Sequence, residues 1–155
     1  MHTIKYGILF ALAIFLWVVI EWLVGLHDRY IRYHEYLSYF FAVPSVYILY
    51  RGIRGGADQP NGRLSFRRVF AKGLGISLVA TCLCPLVWYV YCVVINPAFL
   101  EHMTRFSIEV KEVDSHLASE RFSLPVYLST TTVSTALTNV ITCFVIAVVV
   151  AERKR

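Results

Sequence analysis

Glu21 is the only charged residue well inside a long apolar run of this chain. A carboxylate is expensive to place in hydrocarbon, so it marks an ion or proton pathway, a pairing, or a side chain that snorkels to the headgroups. By helical rise it sits roughly 7–8 Å from the outer end of its run, within reach of Arg29 or Arg32, and pairing or snorkelling is the preferred reading. A second polar set lies near the C-terminus. Thr131, Thr135 and Asn139 follow one another at i+4 steps, with Ser134, Thr138 and Thr142 as a neighbouring row. Gly73, Ser77, Thr81 and Cys84 line one side of another run. Small and hydroxylated residues let helices approach closely and hydrogen-bond to one another, and packing is the plain reading. The sharper reading is a polar lining for a small solute or ion. Asn139 is the most informative of the set, because its amide needs partners in hydrocarbon.

Four histidines, His27, His34, His102 and His116, form the third set. His27-Asp28 and His34-Glu35 stand seven apart, two turns along one helix face, while His102 and His116 stand fourteen apart. Convergence of the two segments would offer imidazole and carboxylate to zinc or copper. No compact motif such as His-Glu-x-x-His is present, so surface or interface histidines are the plainer reading, and no metal or cofactor is expected. Asp114-Ser115-His116 is no catalytic triad, since sequence neighbours on a helix do not face one another. No nucleophile–base pair or carboxylate dyad can be placed at one depth, so no enzyme is expected.

The elements that must position these groups are read from composition. Of 155 residues, 57% are hydrophobic and 16% charged, and the mean hydropathy is +0.60. Soluble domains average roughly 45–50% apolar and 25% charged. No charge occurs from Gly73 to Leu100 or from Phe122 to Ala151. Each gap exceeds the roughly 20 apolar residues that a membrane helix needs. A soluble enzyme, a disordered chain and a collagen-like fibre are excluded. Four spans are predicted, at approximately 6–26, 36–53, 73–95 and 126–150, with kinks expected at Pro44 and Pro85. The first is a retained helix, being longer than a roughly 7–15-residue signal core and lacking a small-x-small cleavage site. Cys82, Cys84, Cys92 and Cys143 all lie in apolar stretches and read as buried, inert thiols.

Orientation follows from the flanking cations. Lys5, Arg51, Arg54, Arg63, Arg67, Arg68, Lys72, Arg153, Lys154 and Arg155 fall on one side, against Arg29, Arg32, Arg105, Lys111 and Arg121 on the other. Both termini are therefore expected in the cytoplasm. Trp22, Tyr30, Tyr33, Tyr36, Trp88, Tyr89 and Tyr91 toward the outer ends, with Tyr6 and Tyr50 at the inner ends, fit an aromatic belt. The net charge of +5 belongs to this asymmetry, and nucleic acid is not an expected partner.

Two segments outside the spans carry a pattern. Gly52, Gly55, Gly56, Pro60, Asn61 and Gly62 give a loop composition. Ser65 is then placed to cap a helix whose Phe66, Val69, Phe70 and Gly73 share one face. Arg67, Arg68 and Lys72 lie toward the other face, at anionic headgroups, each contributing about 1 kcal/mol near a charged leaflet. No Gly-Lys-Ser/Thr follows, and Gly73-Leu74-Gly75 lacks a third glycine, so a nucleotide loop is not expected. In the outer connection, Leu100, Met103, Phe106, Val110, Val113 and Leu117 recur at steps of three and four, with Pro97 suited to a first turn. An amphipathic helix over 97–122 is predicted, packing on the bundle mouth, on itself in a dimer, or on a partner.

The run Gly62-Arg63-Leu64-Ser65-Phe66-Arg67-Arg68-Val69-Phe70-Ala71-Lys72-Gly73 resembles the Gly-x-Ile/Leu-Ser-Phe-x-x-Ala/Val-Phe-x-x-Gly signature of a bacterial integral-membrane family. That family is the domain of unknown function numbered forty-one ninety-nine. Asn96-Pro97-Ala98-Phe99 is similar to its Asn-Pro-x-Phe element, and the short basic C-terminus also fits. The resemblance covers nearly the whole chain and implies four membrane helices with a helical segment before the last. The outer segment here is shorter and richer in histidine. The family brings no catalytic residues with it.

The sequence thus predicts an all-α membrane protein: four transmembrane helices, with an additional amphipathic helix between the third and fourth. It is expected in a bacterial inner membrane, in contact with membrane lipids, as a non-enzymatic component that associates with itself or with a partner protein. The alternatives are a transporter or accessory subunit using Glu21 and Asn139, and an outer-face metal-binding protein.

Overall fold

A computed structural model describes residues 1–55 and 65–151. Gly56, Pro60, Asn61, Gly62 and Arg63 of the basic loop, and Arg153, Lys154 and Arg155, lie outside the described residues. Among the described residues all regular structure is helical: α1 (His2–Leu23), α2 (Ile31–Ser38), a 3-10 turn (Tyr39–Phe41), α3 (Ala42–Arg54), α4 (Phe66–Val90), a π turn (Tyr91–Ile95), α5 (Phe99–Glu109), α6 (Ser115–Arg121) and α7 (Leu124–Val150).

Three of these stretches, His2–Leu23, Phe66–Ile95 and Leu124–Val150, are long and apolar enough to cross a membrane. They are apolar around most of their circumference, and only 28%, 22% and 22% of their most hydrophobic stretches are buried by the chain itself. Leu12, Leu16, Leu78, Ile141 and Val149 all point outward. A water-facing surface of this kind would be unstable, whereas lipid accepts it. Small residues set the helix contacts. A methyl group placed on Gly7 would lie 2.5 Å from Val79 Cβ, and one on Gly73 would lie 2.7 Å from Cys143 Sγ. Gly52 sits equally tightly against Tyr6 and Ile76, and Gly55 faces His2. The start of α1, the end of α3, the start of α4 and the end of α7 therefore share one end of the bundle. α1 and α4 run parallel to each other, and α3 and α7 run antiparallel to them.

The single helix expected over 36–53 is interrupted. Pro44 has no N–H to give the Phe40 carbonyl, and the chain tightens into the 3-10 turn Tyr39–Phe41 at that point before α3 resumes. α2, the turn and α3 together rise roughly 37 Å. Pro85, by contrast, is carried inside α4. The register gives way six residues later, where Asn96 N–H reaches the Tyr91 carbonyl at 2.8 Å to close the π turn. The helix expected over 97–122 is two helices, α5 and α6. Glu112 adopts φ 53°, and the Asp114 carboxylate caps α6 through the N–H groups of His116 (2.9 Å) and Leu117 (3.3 Å). That break resets the helical phase: Leu100 and Met103 pack on the core, while Val110 and Leu117 stay exposed. Ser65 occupies the N-cap of α4 with extended backbone, but its hydroxyl makes no capping bond. Of the four thiols, Cys84, Cys92 and Cys143 are buried and Cys82 is exposed.

Candidate functional site

The site grows out of the way α1 ends. Gly25 takes φ +81°, a conformation glycine adopts without steric cost. Its N–H bonds the Trp22 carbonyl at 2.9 Å, and the Leu26 N–H bonds the Glu21 carbonyl at 2.9 Å. This paired reversal folds the chain back over the helix end. It buries Leu26 and His27 against the bundle, returning His27 to Glu21. α2 then delivers His34 and Ser38 to the same carboxylate.

Glu21 is 3% exposed and His27 is fully buried. The two oxygens of Glu21 have different work. Oε1 accepts the Trp17 Nε1–H at 2.7 Å and the Ser38 hydroxyl at 2.6 Å. Oε2 faces two imidazoles, His27 Nε2 at 3.4 Å and His34 Nε2 at 3.8 Å. His27 Nδ1 is hydrogen-bonded to the Tyr91 hydroxyl, which also accepts from Asn96 Nδ2 at 3.1 Å. The π turn holds both Tyr91 and Asn96 in place. His102 donates Nδ1–H to the His27 carbonyl at 3.2 Å, anchoring the turn from α5. Phe99, itself fully buried, lies with its ring centre 4.7 Å from that of His27 and 6.3 Å from that of His34. Lys111 forms an ion pair with Glu35, tying the end of α5 to α2. His34 is the accessible member, its side chain 13% exposed. Burial, and then the adjacent His27, hold its imidazole below the ordinary histidine range, so it is neutral near pH 7.

Glu21, His27 and His34 each offer one ligand atom, and these lie within 4.8 Å of one another. His27 Nε2 and His34 Nδ1 are buried without a hydrogen-bond partner. A neutral imidazole that receives the tyrosine proton at Nδ1 must point its Nε2–H toward Glu21. One that donates at Nδ1 turns a lone pair on the carboxylate instead, and only a cation between them makes that arrangement favourable.

The residues expected from sequence are distributed more widely. Glu21 pairs with His27 and His34, while Arg29 and Arg32, its expected partners, are not among its contacts. His27 lies in the turn before α2 rather than on one helix face with His34, and the chain reversal brings the two ring centres to 4.8 Å, with Glu21 as the carboxylate rather than Asp28 or Glu35. His102 joins through the backbone, and His116 is exposed on α6. Asn139 is 4% exposed with its Nδ2 unpartnered, and it lies fifteen residues beyond the start of α7, away from the Glu21 end of the bundle. Thr131 donates to the carbonyls of its own helix, Tyr127 at 2.8 Å and Leu128 at 3.1 Å. Thr135 approaches Cys84 Sγ at 3.5 Å. Arg67 and Arg68 are exposed and Lys72 half-buried at the start of α4.

Trp17, Ser38, Tyr91 and Asn96 were not singled out from sequence as parts of a site. Trp17 had a signal, standing one helical turn before Glu21. Asn96 and Phe99 belong to the Asn-Pro-Ala-Phe quartet, whose role here is to support His27. Ser38 and Tyr91 come from distant elements and had none.

Neither the curated proteins nor the solved structures contain a match to the chain. The profile of the family described as Protein of unknown function (DUF4199) matches residues 5–153. With nearly the full length covered, the chain belongs to that family.

Proposed function

We propose that this protein is a four-segment integral component of a bacterial inner membrane, with both termini in the cytoplasm. In this reading the membrane segments are 6–26, 36–53, 73–95 and 126–150. The separation of charge between the two ends of the bundle carries it. Lys5, Arg51, Arg54, Arg67, Arg68 and Lys72 gather at one end, without a described carboxylate among them. Asp28, Glu35, Glu101, Glu109, Glu112, Asp114 and Glu120 all fall at the other, among Arg29, Arg32, Arg105, Lys111 and Arg121. Cations concentrate on the cytoplasmic side of membrane proteins, so the first end faces inward. Arg67, Arg68 and Lys72 meet lipid phosphates there. The end of α2, the 3-10 turn and α3 form the second segment. Arg32 and Glu35 stand before it and Arg51 and Arg54 at its other end, and Tyr39, Phe40, Val43 and Tyr47 face outward between them.

The working role is non-enzymatic, exercised by association with a second copy or a partner protein. The outer segment supports this, since Val110 and Leu117 remain exposed on its surface. A transport role through Glu21 and Asn139 is weaker, because the two stand at different depths and are joined by no shared partner. A reporter fused after Arg155 is expected in the cytosol and one inserted beside Asp114 on the exterior. The reverse pattern, or recovery of the chain in the aqueous fraction without detergent, overturns the reading.

A further inference from the structure

We propose that Glu21, His27 and His34 form a binding site for one divalent first-row transition-metal ion. The inference goes beyond the membrane role and holds whichever face of the membrane the site is on. Two imidazole nitrogens and one carboxylate oxygen are a borderline donor set, suited to zinc, iron, cobalt or nickel and poorly suited to calcium or magnesium.

The distances fit. Ligand atoms about 2.0–2.1 Å from a tetrahedral ion stand about 3.3–3.4 Å apart. Glu21 Oε2 is already 3.4 Å from His27 Nε2 and 3.8 Å from His34 Nε2. Only the partly exposed His34 ring has to close in, and the remaining coordination positions open on its side, where water can enter. The buried half of the set is held in advance. Glu21 is oriented by Trp17 and Ser38 through Oε1, which leaves Oε2 to the ion. His27 is oriented through Nδ1 by Tyr91, which Asn96 braces in turn. Supporting hydrogen bonds of this kind to the far nitrogen and far oxygen are typical of metal ligands. The second observation is the fully buried His27, whose Nε2 points at the carboxylate with no hydrogen bond of its own. A coordinated cation satisfies that nitrogen and neutralises the buried carboxylate together.

The test uses the full chain in detergent, carrying a purification tag without histidine and stripped by chelator, titrated with Co2+ and then Zn2+. One ion per chain is expected. His34→Gln and Glu21→Gln should each weaken binding by more than about 100-fold, beyond the effect of losing an outer hydrogen bond, while His116→Gln leaves it unchanged. His34 is at the edge of the cluster, so its variant carries the test even where Glu21→Gln fails to fold. The visible spectrum of the Co2+ form should show weak bands only. An intense thiolate charge-transfer band would place the ion on the cysteines and overturn the site. So would the absence of uptake, which leaves a shared proton between His27 and Glu21, or unchanged affinity in the His34 variant.

Discussion

Replacing Glu21 by alanine in metal-free protein removes the acceptor of two short hydrogen bonds and the carboxylate that faces His27 and His34. Hydrogen bonds to a charged group contribute about 1.5–3 kcal/mol each. The Ser38 hydroxyl is half-buried and can turn elsewhere, so its loss sits at the low end of that range. The Trp17 N–H has a single direction to point and sits higher. Together with a buried imidazole left without its acceptor, the loss comes to about 3–5 kcal/mol. Glu21→Gln keeps an oxygen for Trp17 and Ser38 and should cost only about 1–2 kcal/mol. The assay is unfolding in mixed micelles by a denaturing detergent, followed by helicity, in the presence of chelator. A double-mutant cycle of Glu21→Ala with Ser38→Ala isolates the link between α1 and α2. Its expected coupling is about 1.5–2 kcal/mol. A coupling below about 0.5 kcal/mol, or an alanine variant no less stable than the glutamine one, refutes the reasoning.

Four further outcomes follow from the geometry. Gly7→Ala should cost about 2–3 kcal/mol in the same unfolding assay, and Val79→Ala should not rescue it, because the clash at 2.5 Å is with Val79 Cβ itself. Gly73→Ala should cost about 1 kcal/mol and be partly rescued by Cys143→Ala, which removes the sulfur at 2.7 Å and leaves Cys143 Cβ at 3.0 Å. Glu112→Gly should raise stability by about 0.5–1 kcal/mol by relieving its positive φ, while Asp114→Ala should lower it by about 1 kcal/mol through loss of the α6 cap. Tyr91→Phe should weaken metal binding about 10–100-fold while keeping one ion per chain, as read by the Co2+ titration.

The long apolar helices were legible because their signal is summed over twenty or more residues and no local choice opposes it. The second segment was harder to read. Pro44 announced a disturbance, but whether a freed carbonyl produces a bend or a 3-10 turn depends on what packs beside it, and Pro85 leaves its helix α-helical. The outer stripe from Leu100 to Leu117 misled for a specific reason. Its spacing is helical on both sides of Glu112, and one residue in the left-handed region is enough to rotate the two halves out of phase. The candidate site was half legible. Glu21 was conspicuous as a charge in an apolar run, and His27 and His34 as a pair two turns apart. What joined them is the chain reversal at Gly25, together with Tyr91 on a π turn that no periodicity predicts. Contacts between residues 64 positions apart, such as His27 with Tyr91, are set by helix packing.

The energetics of the Glu21 end also decide where function should be sought in a molecule that is otherwise hydrocarbon. Packing alone gives no reason to keep an acid and two histidines there. Leucine or methionine in their place would fill the same volume at no desolvation cost, and such replacements are often neutral or stabilising. The rest of the bundle follows that economy: Phe10, Leu49, Ile53 and Ile76 fill its core, and glycines bring its helices together. Against that background the cluster recruits support from five separate elements. α1 supplies Trp17, α2 supplies Ser38, the π turn supplies Tyr91, the bend after it supplies Asn96, and α5 supplies Phe99 and His102. Support on that scale fixes the directions of Glu21 Oε2 and His27 Nε2, which face each other beside His34 Nε2. In metal-free protein the direction in which Glu21 Oε2 and His27 Nε2 are held lets the imidazole aim its Nε2–H at the carboxylate, and with that proton displaced it is the direction a coordinated cation would require.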